Sequence, residues 1–225
     1  MQDKNQDNKS GLSAGQSSAA TNAPRNQSRR QFALAGSAVL LTVASRPVLA
    51  TGQVCNSPSG FISGNVSQHG TPNYCAGRTP GYWMTKMHWA EWPSPYYTCG
   101  TLKDGTTCNK WDDWNNDGTT FKDQFSCSGL NWNNYANYGT EQHPKYYSMM
   151  QVLWMTGSQD PAQLGAHIVA ALLNAKKGWT TGVLTEQGVK DIWNEYNSKG
   201  YYEPTATVKW YPADIVAYLQ STMPL

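Results

Sequence analysis

Asp160-Pro161-Ala162-Gln163-Leu164-Gly165-Ala166-His167-Ile168-Val169-Ala170-Ala171-Leu172-Leu173-Asn174-Ala175-Lys176-Lys177-Gly178 reads as a helix from end to end. Asp160 is an N-cap residue, Pro161 suits the first helical position, and Gln163 stands three residues after the cap. Leu164, Ile168, Ala171, Leu172 and Ala175 recur at helical spacing. Lys176-Lys177-Gly178 then supplies positive charge and a terminating glycine. Downstream, Thr185 caps a second helix whose Val189, Ile192, Trp193 and Tyr196 form a stripe before Lys199-Gly200. Pro212 opens a third, with Ile215, Val216 and Leu219 facing inward. Upstream, Tyr146 to Met155 reads as another helix ending at Gly157, although its composition also suits a buried strand.

Ahead of this helical half, residues 144–225, lies a half of different composition, residues 51–143. It is crowded with Gly, Pro, Asn, Ser and Thr, and it holds Trp83, Trp89, Trp92, Trp111, Trp114 and Trp132, six of the ten tryptophans. All five cysteines, Cys55, Cys75, Cys99, Cys108 and Cys127, also lie there. Such a region builds its core from aromatic rings and bridges. The expected fold is one mainly α domain, with three or four helices packed under a disulfide-stapled, aromatic-rich irregular layer. Two bridges and one leftover thiol is the simplest cysteine count, and the spacing leaves connectivity open. No pair of cysteines has the two-residue spacing of a zinc knuckle.

Residues 1–50 read as a disordered leader followed by a signal peptide. Arg29 and Arg30 precede an apolar stretch, Phe32 to Val43, that is too short to span a bilayer, and Val48-Leu49-Ala50 offers a cleavage site. Adjacent arginines in Ser28-Arg29-Arg30-Gln31-Phe32 are the address of the twin-arginine route. The implied partners are the twin-arginine translocase and signal peptidase, and the implied destination is the periplasm, cell surface or exterior, with no membrane span after cleavage. The leader holds six of the 17 Lys and Arg and two of the 15 Asp and Glu, so the mature chain carries 11 against 13. A net charge of −2 without a basic cluster gives no footprint for nucleic acid.

Asp113-x-Asn115-x-Asp117-Gly118 places oxygen ligands at alternate positions before a turn glycine, as a calcium loop begins. Thr119 then offers its carbonyl at the seventh position and Gln124 a neutral oxygen at the twelfth. An Asn/Asp-rich turn needing no ion has the same composition. Trp89, Trp92, Trp111 and Trp114, with Tyr96 and Tyr97, suit a sugar-stacking platform or, equally, a buried aromatic core. His88 and Glu91 fall one helical turn apart, which places an imidazole and a carboxylate on one face. No Gly-x-Ser-x-Gly elbow, phosphate-cradling loop or His-Glu-x-x-His pair is present.

Ala76-Gly77-Arg78-Thr79-Pro80-Gly81-Tyr82-Trp83 follows Cys75, and His167-Ile168-Val169-Ala170-Ala171-Leu172-Leu173-Asn174-Ala175 stands far downstream. Together these motifs resemble a family of exported bacterial and archaeal proteins with a domain of uncharacterised function, marked by Cys, Thr-Pro-Gly-Tyr-Trp and a later His-x-Val-Ala-Ala-Leu-Leu-Asn-Ala helix. The family follows its Trp with Lys-x-His, where this chain has Met84-Thr85-Lys86-Met87-His88. The resemblance implies an exported domain and no particular activity. Tyr82 and Trp83 are expected to pack on the apolar helix. The function expected is a non-enzymatic exported protein that binds a glycan or protein partner, with a structural calcium ion at the Asp113 loop. The alternative is a periplasmic metal-dependent enzyme using His88 and His167, which fits an export route that carries folded, cofactor-loaded proteins. The export reading predicts that the double variant Arg29→Lys, Arg30→Lys leaves uncleaved precursor in the cytoplasm on fractionation. Normal processing in the periplasm would overturn the twin-arginine assignment.

Overall fold

Prolines and capping residues punctuate residues 53–64, 72–99, 118–129 and 146–224, those described by the computed structural model, into short elements. In chain order these are β1 (Gln53–Val54), α1 (Pro58–Ser63), β2 (Tyr74–Cys75), α2 (Pro80–Met84), a 3₁₀ turn (Lys86–Glu91), α3 (Phe121–Gln124) and α4 (Met149–Trp154). A 3₁₀ turn (Pro161–Gln163) follows, then α5 (Leu164–Lys176), α6 (Glu186–Lys199), the hairpin β3 (Tyr202–Thr205) and β4 (Val208–Trp210), and α7 (Pro212–Ser221). The described residues are thus mainly α-helical, with two small antiparallel pairs, β1 with β2 and β3 with β4. The leader with Arg29 and Arg30 lies outside the described residues, as do Cys108, Trp111, Asp113, Trp114, Asn115, Asp117 and Trp132.

α5 is the centre. Every residue from Leu164 to Asn174 is buried, so this helix is covered on all faces rather than on one stripe. It packs against α2, α4, α6 and α7. Its start differs from the sequence expectation. The helix begins at Leu164, after Ala162 and Gln163 take left-handed backbone with φ of 60° and 56°. Asp160 still serves the helix end, its Oδ1 and Oδ2 accepting from the backbone N–H groups of Gly165 and Ala166, each at 3.0 Å. The carboxylate reaches across an extra turn to the unpaired, positive end of the helix.

The other helices follow their local signals. Ser148 and Gln151 form a reciprocal capping box on α4, which settles that segment as helix. Thr185 accepts from the Gly188 N–H at the start of α6, and Gly200 ends that helix at φ 82°. The α3 segment docks on α6 through the Trp193 indole, which donates to the Ser126 carbonyl at 2.8 Å, and through Asn194, whose Oδ1 accepts from the Ser126 N–H at 2.9 Å. Phe121 stacks on Phe125 and meets Trp193 edge-on beneath that seam.

A disulfide joins Cys55 to Cys75 across the β1–β2 pair, with 5.9 Å between Cα atoms. Cys99 is also disulfide-bonded, and Cys127 is a free thiol whose pKa burial pushes up to about 11. No helix among the described residues is long and apolar enough to cross a membrane.

One buried amide ties the irregular segment to the centre. Asn174, with no exposed surface, accepts through Oδ1 from the Arg78 N–H at 3.0 Å and the Trp83 indole at 3.2 Å. Its Nδ2 donates to the Arg78 carbonyl at 2.9 Å. Gly77 has to be a glycine here, because a Cβ would stand 2.3 Å from the Thr222 carbonyl and 3.0 Å from Asn174 Nδ2. Asn174→Ala leaves one buried indole and two part-buried backbone groups unpaired and is expected to lower unfolding stability by about 3 kcal/mol. Thr79→Ala, whose side chain caps no helix N–H, should change it by less than about 0.5 kcal/mol. Guanidinium unfolding of the disulfide-intact protein reads both, and equal midpoints for the two variants would refute the clamp.

Candidate functional site

The Asn174 clamp fixes the backbone of Arg78 and the indole of Trp83, and so sets the stage for the side chains around them. Thr79-Pro80 starts α2 directly after the clamp, and the turn from Lys86 to Glu91 folds back so that His88 stacks on Tyr82 with ring centroids 3.6 Å apart. Glu91 joins the two. His88 Nδ1 donates to Glu91 Oε1 at 2.7 Å, and the Tyr82 hydroxyl donates to Glu91 Oε2 at 2.5 Å.

Trp179 completes the group from the far end of α5. Its N–H donates to the Asn174 carbonyl at 3.0 Å, its carbonyl accepts from the Ala76 N–H at 2.9 Å, and its ring stacks on Trp83 at 5.5 Å. The Arg78 guanidinium lies over both rings, 5.1 Å from the centroid of Tyr82 and 5.7 Å from that of Trp179. Lys177 Nζ stands 5.8 Å from the Trp179 centroid. Met87, on the same turn as His88, is 75% exposed.

Electrostatics follow from this packing. Hydrogen bonds from His88 and then Tyr82 hold the Glu91 carboxyl below the usual range, with electrostatic interactions with His88 and Lys177 adding to the effect and desolvation opposing it. Burial, and then the bond to Glu91, push the Tyr82 hydroxyl up. The arrangement is a set of rings, one carboxylate and one guanidinium held in fixed orientation at the surface, suited to recognition by hydrogen bonds and charge.

His88 and Glu91 do share one face, as their spacing suggested. His167 belongs elsewhere. Its Nδ1 donates to the Gln163 carbonyl at 2.8 Å and its Nε2 accepts from Gln220 at 3.2 Å, at the opposite end of α5 from the clamp. Both ring nitrogens are therefore engaged, and the two histidines have no partner in common. No group of three His, Cys, Asp or Glu side chains that could hold a metal ion occurs among the described residues.

Of the rings expected as a stacking platform or a buried core, Trp89 and Trp92 lie in the core. They are 8% and 7% exposed, and their indoles donate to the Met84 and Trp83 carbonyls at 3.0 and 3.3 Å. Burial completes a core that short irregular segments could not fill with aliphatic residues. Tyr96 is also buried, its hydroxyl donating to Glu186 at 2.8 Å, while Tyr97 is exposed.

Of the expected calcium loop, Thr119 and Gln124 are described. Thr119 accepts the Tyr97 N–H on its hydroxyl at 2.9 Å and the Met149 N–H on its carbonyl at 2.8 Å. Gln124 Oε1 accepts from Lys190 Nζ at 3.2 Å.

Sequence reading missed Arg78, Trp179 and Asn174. Arg78 and Asn174 stood inside the two quoted motifs without a role, and Trp179 stood one residue past the glycine that follows α5. The pH behaviour of Glu91 is testable. A carboxyl with a lowered folded pKa favours the folded state above its unfolded pKa, and that contribution fades as pH falls through the folded value. Glu91 is 41% exposed, so solvent screens the effect. His88→Gln should raise the Glu91 pKa in a carboxyl NMR titration, and an unchanged value would rule out His88 as the main cause. No family model, curated protein or solved structure matches this chain.

Proposed function

We propose that the mature chain is an exported, non-enzymatic binding domain that recognises a protein partner through the surface around Tyr82. The observation that carries this reading is Met87, 75% exposed on the turn whose next residue, His88, is locked by Tyr82 and Glu91. Met, Tyr, Trp and Arg are the residue types that dominate the buried centres of protein interfaces. A side chain already held in place loses little entropy on binding.

Export through the twin-arginine translocase, with cleavage by signal peptidase, accords with the Cys55–Cys75 bridge and the bonded Cys99, since disulfides persist in oxidising compartments. In this reading the disulfide-stapled aromatic layer holds the recognition surface on the helices. A glycan is the less favoured ligand, because Trp89 and Trp92 are buried and the rings of Tyr82 and Trp179 already carry His88, Trp83 and Arg78. A structural calcium ion at Asp113, Asn115 and Asp117 remains part of the proposal on the spacing of those oxygen ligands.

One observation favours a second reading, general-base chemistry at His88. A carboxylate on Nδ1 orients the ring and leaves Nε2 as its remaining nitrogen. Stoichiometric transition metal in protein purified without chelator would favour that enzyme reading over a binding role.

The direct test places a photo-crosslinking residue at position 87, and at position 211 as an exposed control, in the exported protein in living cells. A discrete adduct with one protein, formed from position 87 and not from 211, is the expected result. No adduct from position 87 would overturn the binding reading.

A further inference from the structure

We infer that Arg78 is a receptor for a carboxylate, and that the partner presents it as an Asp or Glu of an acidic segment. This deepens the binding reading above and rests on it.

The guanidinium is held yet unsatisfied. Asn174 clamps the backbone of Arg78 on both its N–H and its carbonyl, and two aromatic rings carry its side chain. Among the described residues nothing accepts a hydrogen bond from the guanidinium, and nothing forms an ion pair with it. Nε is buried without a partner, whereas the terminal nitrogens retain contact with solvent. Arginine cannot shed its charge to relieve this. The solvent-facing terminal nitrogens are thus the donors left open to a ligand, and they carry a fixed positive charge.

The neighbouring charges do not supply an acceptor. Glu91 spends its oxygens on His88 and Tyr82. Lys177 beside Trp179 adds positive potential to the same side. What remains open is the outer edge of a planar fork, whose parallel N–H groups match the two oxygens of a carboxylate. The rings on which it rests fix the direction of approach. A protein carboxylate is favoured over that of an acidic sugar because exposed Met87 offers an apolar anchor nearby, while the ring faces that would stack on a sugar are already taken.

The test is fluorescence anisotropy with labelled hexaglutamate peptide on the full disulfide-intact mature chain at low salt, with hexaglutamine as control and polygalacturonate as competitor. Saturable binding of hexaglutamate alone is expected, weakened at least tenfold by Arg78→Ala and several-fold by Arg78→Lys, which keeps the charge and loses the fork. Both variants leave the backbone clamp in place, and unchanged melting verifies that they fold. Equal affinity of wild type and Arg78→Ala would overturn the inference. So would binding of polygalacturonate in preference to the peptide. If hexaglutamate fails to bind while position 87 still forms its adduct, the carboxylate assignment falls and the binding reading stands; loss of both removes both.

Discussion

The side-chain amide of Asn174 is the interaction on which the rest of the surface depends. It sits where α5 is fully buried, yet its amide is satisfied by atoms from a segment nearly a hundred residues earlier in the chain. One side chain therefore fixes where the Arg78 backbone runs, how the Trp83 ring is turned and where α2 begins. Its own backbone carbonyl holds the Trp179 N–H, so one wall of the Arg78 stack is set from the same residue. A buried amide of this kind specifies a unique arrangement because the alternatives leave polar groups without partners.

The clamp can act only because α5 is itself held at both ends. At the N-terminal end, two successive non-glycine residues, Ala162 and Gln163, adopt left-handed backbone at a cost of roughly 1–2 kcal/mol each. The Asp160 carboxylate on two helix N–H groups and the His167 bond to the Gln163 carbonyl offset that strain. Hydrogen bonds to charged groups contribute about 1.5–3 kcal/mol each, enough to decide the balance. His167 is thus a structural residue that joins the strained entry turn to Gln220 of α7.

The sequence showed the helices well where capping and periodicity agreed, as at Thr185, Gly200 and Pro212. It misplaced the start of α5 because Asp160, a good local cap, reaches the helix across an inserted turn that local pattern does not reveal. The β3–β4 hairpin escaped because Pro204 inside Tyr202–Thr205 breaks the alternation by which a strand is recognised. Within the site, His88 and Glu91 were legible because their contact is local. Arg78 was not, since its environment is made by Asn174 and Trp179. The exposure of Trp89 and Trp92 was equally undecidable from spacing, which does not distinguish a platform from a core.

The central claim, that the Asn174 clamp belongs to the cooperative core, is tested most directly by native-state hydrogen exchange. The Arg78 amide and the Trp83 indole N–H should exchange only on global unfolding, with the same dependence on denaturant as the amide of Val169 in the middle of α5. Exchange of those two protons orders of magnitude faster than Val169, and insensitive to denaturant, would show that the clamp opens locally and would contradict the account.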